Sequence, residues 1–352
     1  MTFAIIGAGN TGQAIAGYLA IHQEDITLYT RNSSKAERLS KNGLTISGVY
    51  RQHVHVPVTT DLEEAIAEAR YILITTTSPG HQSTFKAIKP LLKGNQLILI
   101  LPGYWGAAQC KEELGSLSEE KNILIAETSA MPFVSKADDQ GNVHLIKIKQ
   151  NVQVSCIPTP QSPILPSKIH STFPQLVPAS HIIETSLNNT NVVVHTPITL
   201  FNASRIDAAD EFRFYGDGVS PHTVKYVEKI DEERRRLADR FNIQTTSILT
   251  LLNEFYKTDF TDLETALPGL FPDGKAPRTL DHRYITEDIP YGLVPISELS
   301  KRVGLATPYA DSVIETAGLL LDRDFRKEGV RFDEYSPEDL SALIQPNVII
   351  QS

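Results

Sequence analysis

The N-terminal part of the chain alternates short apolar runs with segments whose apolar residues recur at helical spacing. The apolar runs have the length of β-strands and lie at residues 3–8, 25–30, 71–79, 96–101 and 122–129. Strands that are apolar on both faces occur in parallel sheets covered by helices. The pattern therefore predicts an α/β fold with a Rossmann-type, doubly wound parallel sheet.

Three further segments add strands to this pattern. Residues 44–56 alternate in period two and predict a hairpin inserted between two units of the sheet. Two more strand-like runs occupy residues 142–150 and 151–158.

The pattern changes after a stretch with six prolines between Pro158 and Pro178, which predicts an irregular junction. We place the domain boundary just after it, so that the Rossmann-type domain spans residues 1–183 and a second domain spans residues 184–352. Helical periodicity then occurs at residues 225–243, 245–257, 295–305 and 308–325. No clear strand pattern follows residue 190, so the second domain is predicted to be all helical.

Composition and charge narrow the functional classes. The 352 residues carry a formal net charge of −9, which argues against nucleic acid or an anionic membrane as the main partner. No stretch approaches the roughly 20 apolar residues that span a bilayer. The N-terminus lacks the basic region and apolar run of a secretory signal. We therefore expect a cytoplasmic protein in which Cys110 and Cys156 are buried thiols.

The sequence "IIGAGNTGQAIA" follows the first strand and opens a helix. Gly7, Gly9 and Gly12 have the spacing of a dinucleotide-binding turn. The first glycine permits a tight turn, the second lets the backbone approach a pyrophosphate, and the third lets the helix pack closely on the strand. Asn10 and Thr11 lie between them at the helix N-terminus, which favours phosphate charge. The segment predicts that these five residues bind a dinucleotide cofactor.

The end of the second strand bears on which nicotinamide cofactor is bound. An NAD site usually has an acidic residue there, which accepts hydrogen bonds from the ribose hydroxyls. This chain has Arg31 and Asn32 instead, followed by Ser33 and Lys35. Arg31 can make a charge-assisted contact with a 2′-phosphate. These residues therefore favour NADP(H) over NAD(H). The alternative interpretation is that Arg31 and Lys35 are surface charges of the following helix.

The segment from Leu187 to Ser204 contains no charged residue, which predicts a helix that is buried along most of its length. Pro197 removes a backbone donor and predicts a kink near the histidine of this segment. The polar residues recur at spacings of three or four and form one stripe: Asn188, Asn191, His195, Thr199 and Asn202. Buried polar groups need partners, since an unpaired one costs on the order of 1–3 kcal/mol. The pattern is compatible with two kinds of partner, neighbouring helices or a substrate.

A second concentration of polar residues lies in "HRYITEDIPYGLVP", residues 282–295. Its Asp288 is of interest because an aspartate bonded to one imidazole nitrogen fixes the tautomer and raises the basicity of the other nitrogen. Its Arg283 can hold a carboxylate through two parallel hydrogen bonds. The alternative interpretation is a surface turn that carries charges.

Together, the glycine motif, "LPGYWGA", "AETSAMPF", "VVVHTPITLFNA" and "RYITEDIPYGLVP" resemble, in this order, the opine dehydrogenases, the octopine/nopaline dehydrogenase family. The resemblance implies a Rossmann domain followed by a helical domain, with the substrate between them. It also implies reductive condensation of a 2-oxo acid, often pyruvate, with the amino group of an amino acid.

The product of that reaction is an N-(1-carboxyalkyl) amino acid. The resemblance implies that His195 and Asp288 are the catalytic pair and that Arg283 binds a substrate carboxylate. We expect Asn202 to bind the second substrate. No metal is expected, because the arginine and the histidine supply the positive charge.

Two features depart from the family pattern. Thr196 separates His195 from Pro197, where the family commonly has proline directly after histidine, and Arg31 replaces the acidic residue of NAD-using members. A 2-oxo-acid reductase of the ketopantoate reductase type is an alternative, although such enzymes usually use a lysine and none lies between residues 187 and 223. A non-catalytic NADP(H) sensor is another. The apolar helices of the second domain also make a homodimer an expectation.

Overall fold

The computed structural model describes residues 2–157 and 166–332. The described chain divides into two compact units, with the division between Thr185 and Ser186. The first unit is α/β and the second is helical, so the predicted Rossmann-type domain and helical second domain are confirmed. The predicted proline-rich junction lies partly outside the described residues, because it includes residues 158–165.

Eight of the strands in the described part of the chain form one large sheet. The strands are β1 (Thr2–Ile6), β2 (Ile26–Tyr29), β3 (Leu44–Gly48), β4 (Gln52–Val54), β5 (Val58–Thr59), β6 (Ala69–Ile74), β7 (Leu97–Ile100), β8 (Leu124–Thr128), β9 (Phe133–Ala137), β10 (Asn142–Ile148), β11 (Val152–Ile157) and β12 (Leu176–Pro178). The large sheet has the order β12-β11-β8-β7-β6-β1-β2-β5. Its neighbours are parallel except for β11, which runs antiparallel to β8. Its central strands are buried, which explains their continuous apolar runs.

The other four strands form a second, smaller sheet in the order β4-β3-β10-β9. β3 and β4 pair antiparallel and confirm the hairpin predicted over residues 44–56. The two runs predicted after residue 140 are β10 and β11, which belong to different sheets. The apolar pattern does not predict β5, β9 or β12. β5 and β12 are only two and three residues long, and β9 is mostly half-exposed.

Helices cover the sheets of the first unit. They are α1 (Asn10–Ile21), α2 (Ser33–Asn42), α3 (Leu62–Ile66), α4 (His81–Ile88), α5 (Gly106–Leu114), α6 (Leu117–Glu120) and α7 (Ser167–Thr172), and the division between the units falls within α8 (Ile182–Leu187). Cys110 and Cys156 are free and buried, as predicted. Burial raises the pKa of the Cys156 thiol to about 11, so this thiol is protonated at neutral pH.

The second unit is built around α9. Its helices are α9 (Thr190–Phe201), α10 (Ala203–Asp207), α11 (Pro221–Arg240), α12 (Ile248–Tyr256), α13 (Leu263–Leu270), α14 (Arg283–Thr286), α15 (Val294–Arg302), α16 (Pro308–Leu321) and α17 (Phe325–Glu328), with a π-helical turn at Ile289–Leu293. α9 packs against α11, α12, α14 and α16. This surrounding shell explains why α9 carries no charged residue. None of the helices in the described ranges has both the length and the apolar character needed to cross a membrane.

Candidate active site

The loop between β1 and α1 has the geometry of a phosphate-binding turn. Gly7 has a φ of +115°, a conformation that favours glycine. A Cβ at Gly12 would lie 1.7 Å from the carbonyl oxygen of Gly7, so this close packing of α1 requires glycine. The space next to Gly9 is open, and within the described chain α1 starts without a capping side chain. Its first N–H groups can therefore bind an anion.

A cavity of about 720 Å³ lies beside this loop. Its lining includes four of the predicted cofactor residues: Gly7, Gly9, Arg31 and Asn32. Hydroxyl side chains contribute hydrogen-bonding groups, and they belong to Thr30, Ser33, Thr76, Ser83 and Thr84. Thr76 lies on the loop after β6, and Ser83 and Thr84 lie on α4. Only the parallel sheet brings them next to the glycine loop.

The two asparagines predicted to bind the cofactor have structural contacts. The side-chain oxygen of Asn10 accepts a hydrogen bond from the backbone N–H of Ala137 at 2.9 Å. The side-chain oxygen of Asn32 caps α2 by accepting from the backbone N–H of Lys35, also at 2.9 Å. Arg31 is exposed beside this cap. The asparagine contacts hold the backbone of the cavity wall in place, whereas Arg31 brings a positive charge to it.

His195 lies in the middle of α9 and is buried, with 7% of its surface exposed. The helix continues through Pro197 without interruption. The hydroxyl of Thr196 donates a hydrogen bond to the carbonyl of Val192 at 2.9 Å. The hydroxyl of the threonine that departs from the family pattern is therefore bound within its own helix.

The structure brings His195 and Asp288 together. Nδ1 of the imidazole lies 2.8 Å from a carboxylate oxygen of Asp288, which is completely buried. A carboxylate can only accept a hydrogen bond, so Nδ1 carries the proton and Nε2 is the nitrogen that exchanges protons. Asp288 immediately precedes the π-helical turn, a kind of helix distortion that is frequent at functional sites.

Aromatic side chains enclose the imidazole. The ring of Tyr284 stacks on His195, with the ring centroids 3.8 Å apart. The phenol oxygen of Tyr215 lies 2.8 Å from Nε2 of His195. Tyr215 was not predicted from the sequence. The one local signal was the aromatic run in "EFRFYGDG", which gives no indication of a histidine twenty positions earlier.

Arg283 lies on the same segment as Asp288. It opens α14, its side chain is 45% exposed, and its guanidinium is 3.4 Å from Glu287. The backbone N–H of Asp288 donates to the carbonyl of Arg283 at 3.1 Å. The local backbone therefore links the two predicted site residues directly.

Asn202 occupies a different position, at the C-terminal end of α9. Its side-chain nitrogen donates to the backbone carbonyls of Ile198 and Gly218, both at 2.8 Å. It lines a cavity of about 470 Å³ together with Phe201, Asp217, His222, Tyr226 and Tyr309. His195 is not part of this lining in the described chain. The structure thus places Asn202 in a cavity apart from the His195–Asp288 pair.

Comparisons with known proteins cover most of the chain. Residues 178–321 match the family model "NAD/NADP octopine/nopaline dehydrogenase, alpha-helical domain", and residues 3–158 match "Ketopantoate reductase PanE/ApbA". An opine dehydrogenase from Arthrobacter sp. (strain 1C) is 30% identical over 346 residues, which cover 97% of this chain and 96% of that protein.

Two solved structures have the same fold. Octopine dehydrogenase in complex with NADH and agmatine matches with a TM-score of 0.76 and 21% identity, over 92% of this chain and 90% of that one. NADP⁺-bound yersinopine dehydrogenase matches with a TM-score of 0.73 and 16% identity, over 98% and 95% of the two chains.

The fold and the site define a class of two-domain oxidoreductases, in which an α/β unit with a nucleotide-type loop precedes a helical unit with a buried histidine–aspartate pair. The full-length similarity and the helical-domain match narrow this class. The chain belongs to the opine dehydrogenase family, which includes the octopine and nopaline dehydrogenases. It is therefore an oxidoreductase that acts on CH–NH groups.

Proposed function

We propose that the protein is an NADP(H)-dependent opine dehydrogenase. It condenses a 2-oxo acid such as pyruvate with the amino group of an amino acid and forms an N-(1-carboxyalkyl) amino acid. The observation that carries the proposal is the pairing of His195 and Asp288, 2.8 Å apart and buried, in the helical unit of a member of this family. A buried imidazole that is oriented by a carboxylate can act as acid and base near neutral pH.

The first unit has the residues that would hold the cofactor. Gly7 and Gly12 have the backbone and packing constraints of a dinucleotide turn, and the open side of Gly9 leaves room for a pyrophosphate. Arg31 would bind the 2′-phosphate of NADP(H), for which an acidic residue would be unsuitable. When bound, the reduced cofactor supplies the hydride that converts the imine into a secondary amine.

Arg283 would hold the carboxylate of the 2-oxo acid. Its guanidinium is half-exposed, so solvent and small molecules can reach it, and a guanidinium can hold a carboxylate through two parallel hydrogen bonds. We do not assign a substrate to Asn202, because its side-chain nitrogen is bound to backbone carbonyls and it lines a different cavity.

His195 would supply the proton for loss of water. With Nδ1 held by Asp288, the protonated ring gives up a proton from Nε2. The proton goes to the hydroxyl oxygen of the carbinolamine, which leaves as water and leaves an imine behind. The burial of the pair favours this chemistry, because electrostatic interactions are stronger where water is excluded.

A substrate screen tests this function. NADPH and NADH oxidation are measured with pyruvate and other 2-oxo acids, each alone and with a panel of amino acids, and the product is identified by mass. We expect turnover only when both substrates are present, with faster turnover for NADPH at low cofactor concentration. The expected product has the mass of the two substrates minus one oxygen.

Other outcomes of the same screen identify the alternatives. Turnover with the oxo acid alone would indicate a reductase of the ketopantoate reductase type, whose family model matches residues 3–158. Cofactor binding without any turnover would indicate an NADP(H) sensor.

We also propose a cytoplasmic location and a homodimer. Leu319 and Leu320 on α16 are 86% and 54% exposed, which provides an apolar surface on the second unit. Light scattering gives the mass in solution, and a value of one chain mass, 39.0 kDa, contradicts the dimer.

A further inference from the structure

The hydroxyl of Tyr215 is hydrogen-bonded to the second ring nitrogen of His195, Nε2. Its phenol oxygen is 2.8 Å from Nε2, while Nδ1 is 2.8 Å from Asp288. Because Nδ1 carries the proton, Nε2 of the neutral ring accepts a hydrogen bond from the Tyr215 hydroxyl. A ring nitrogen makes one strong hydrogen bond, through its lone pair or its N–H, and Tyr215 lies within that distance of Nε2. A proton that leaves His195 through Nε2 therefore reaches the Tyr215 oxygen first, provided that the phenol stays in place.

Packing holds the phenol in place. The ring of Tyr215 is only 8% exposed and lies against Phe271 and Phe214, with ring centroids 4.6 Å and 4.9 Å away. A Cβ at Gly274 would come within 2.7 Å of the Tyr215 ring, so the ring fills the space that this glycine leaves. The backbone N–H of Phe214 donates to the carbonyl of Gly274 at 2.6 Å, which ties the two segments together. Moving the phenol aside would break the ring contacts with Phe271 and Phe214.

Tyr215 remains a neutral phenol in this environment. Burial raises its pKa well above the usual range, and the nearby phenol of Tyr284 adds to this shift. Burial also raises the pKa of Tyr284, whose hydroxyl hydrogen-bonds with that of Tyr215. A neutral phenol donates one hydrogen bond and accepts others. Tyr215 can therefore receive a proton from His195 while it gives its own proton away.

We propose that Tyr215 is the catalytic residue that delivers the proton to the substrate oxygen, with His195 and Asp288 behind it as the source of that proton. This inference rests on the proposed function above. It changes the role of His195, which recharges the donor and does not contact the reacting oxygen itself.

The proton transfers balance as follows. The O–H bond of Tyr215 breaks, and a new O–H bond forms on the carbinolamine hydroxyl. That oxygen leaves as water with the C–O bonding pair, and the lone pair of the amine nitrogen forms the C=N bond. The Nε2–H bond of protonated His195 breaks, and its proton restores the Tyr215 hydroxyl. The products are an iminium ion, water and a neutral His195.

The variant Tyr215→Phe tests the relay, because it keeps the ring and its packing and removes only the hydroxyl. We expect kcat to fall by about 100-fold or more, within the range of a lost general acid. The KM for the cofactor should not change, because the proposed cofactor cavity belongs to the other unit. Steady-state kinetics with the substrate pair from the screen measure both constants.

Tyr256→Phe is the matched control. Tyr256 is also buried and packs against Phe271, with the ring centroids 5.4 Å apart, but the hydroxyl bound to Nε2 of His195 belongs to Tyr215. The Tyr256→Phe variant should keep the wild-type kcat. An equal loss in both variants would assign the effect to packing and overturn the relay. Full kcat or a lowered substrate KM in Tyr215→Phe would do the same, since the hydroxyl would then be dispensable or merely in the way.

A second measurement does not require a variant. The rate of wild-type turnover is recorded in mixtures of light and heavy water. A relay moves two protons in the step, so the rate depends on the deuterium fraction along a curve, whereas a direct transfer from His195 gives a straight line and contradicts the proposal. His195→Ala separates the two hypotheses. Full activity in that variant defeats the proposed function, and an inactive His195→Ala beside a fully active Tyr215→Phe defeats only the relay.

Discussion

Among the described side chains around His195, three determine different properties of the imidazole. Asp288 determines which nitrogen carries the proton, and Tyr215 determines where the proton on the other nitrogen goes. Tyr284 covers one face of the ring and restricts its rotation. Since these contacts are directional, single-atom changes in the partners should alter the chemistry more than the fold.

The first prediction concerns the pair itself. His195→Ala and Asp288→Asn should each lower kcat by about 10²- to 10⁴-fold, the contribution of general acid–base catalysis. In Asp288→Asn the amide can donate to Nδ1, which favours the wrong tautomer. Steady-state kinetics measure the loss. Asp311→Asn is the control, since it weakens an ion pair with Arg326 in the same unit and should keep kcat. Unchanged kcat in both variants of the pair contradicts the assigned role.

The second prediction concerns cofactor choice. Arg31→Ala should raise the KM for NADPH by about 10- to 100-fold, which corresponds to the loss of one hydrogen bond to a charged group. The KM for NADH should hardly change, because NADH has no 2′-phosphate. Arg51→Ala, which removes another exposed arginine of the first unit, is the control. Equal effects on the two cofactors would show that Arg31 does not contact the phosphate.

At the scale of elements, the uncharged segment around α9 shows how three of the five polar residues of the stripe are bound. Asn188 lies before the helix begins, and its side-chain oxygen accepts a hydrogen bond from Arg234 of α11 at 2.7 Å. His195 pairs with Asp288, and Asn202 ends the helix by binding backbone carbonyls. The stripe therefore serves the structure at both ends, and only its centre faces groups that can transfer a proton.

The third prediction concerns Arg234, which connects α11 to the segment before α9. Arg234 is fully buried and pairs with Asp231 at 2.6 Å. Arg234→Met should lower the free energy of unfolding by about 3–5 kcal/mol, because it removes the fully buried member of the ion pair with the Asp231 carboxylate. Denaturant titration measures the change. The double variant Asp231→Leu with Arg234→Met should recover part of the loss, and Arg240→Met on the exposed end of α11 should have little effect. Equal stability of the two arginine variants would contradict this account.

At the scale of the whole molecule, His81 makes stability depend on pH. It is fully buried at the start of α4, and burial lowers its pKa from 6.5 to about 4. Between these values the unfolded chain binds the proton and the folded chain does not. The contribution of the buried, neutral His81 to stability is therefore complete above pH 6.5 and is lost as the pH falls towards 4.

The fourth prediction follows from the loss of stability at low pH. Between pH 6.5 and 4 the wild type should lose more unfolding free energy than His81→Gln, by about 3 kcal/mol for the full shift. Denaturant titrations at several pH values measure the difference. His170→Gln, which replaces an exposed histidine of the same unit, should follow the wild type. Parallel pH profiles of His81→Gln and the wild type would rule out the titration of His81.

The sequence by itself determined the features that depend on local periodicity. Buried parallel strands are apolar on both faces, so β1, β6 and β7 are visible as continuous runs. The turn at Gly7 and the packing at Gly12 require glycine, so the dinucleotide loop is visible as well. The absence of charge along α9 shows its burial. These features depend on residues that are close together in the sequence, so the sequence alone is enough to predict them.

Only the tertiary structure brought Tyr215 and Tyr284 to the histidine, and it placed Asp288, which the family resemblance had implied, within hydrogen-bond distance. Asp288 is 93 positions from His195 and Tyr215 is 20 positions from it, and no spacing rule connects them. The packing of α9 against α14 places the aspartate, and the contact of Tyr215 with Phe271 and Gly274 places the phenol. The same packing separates Asn202, which shares a stripe with His195, from the pair. A helical period gives the direction of a side chain, whereas its partner depends on the elements that the rest of the chain folds around it.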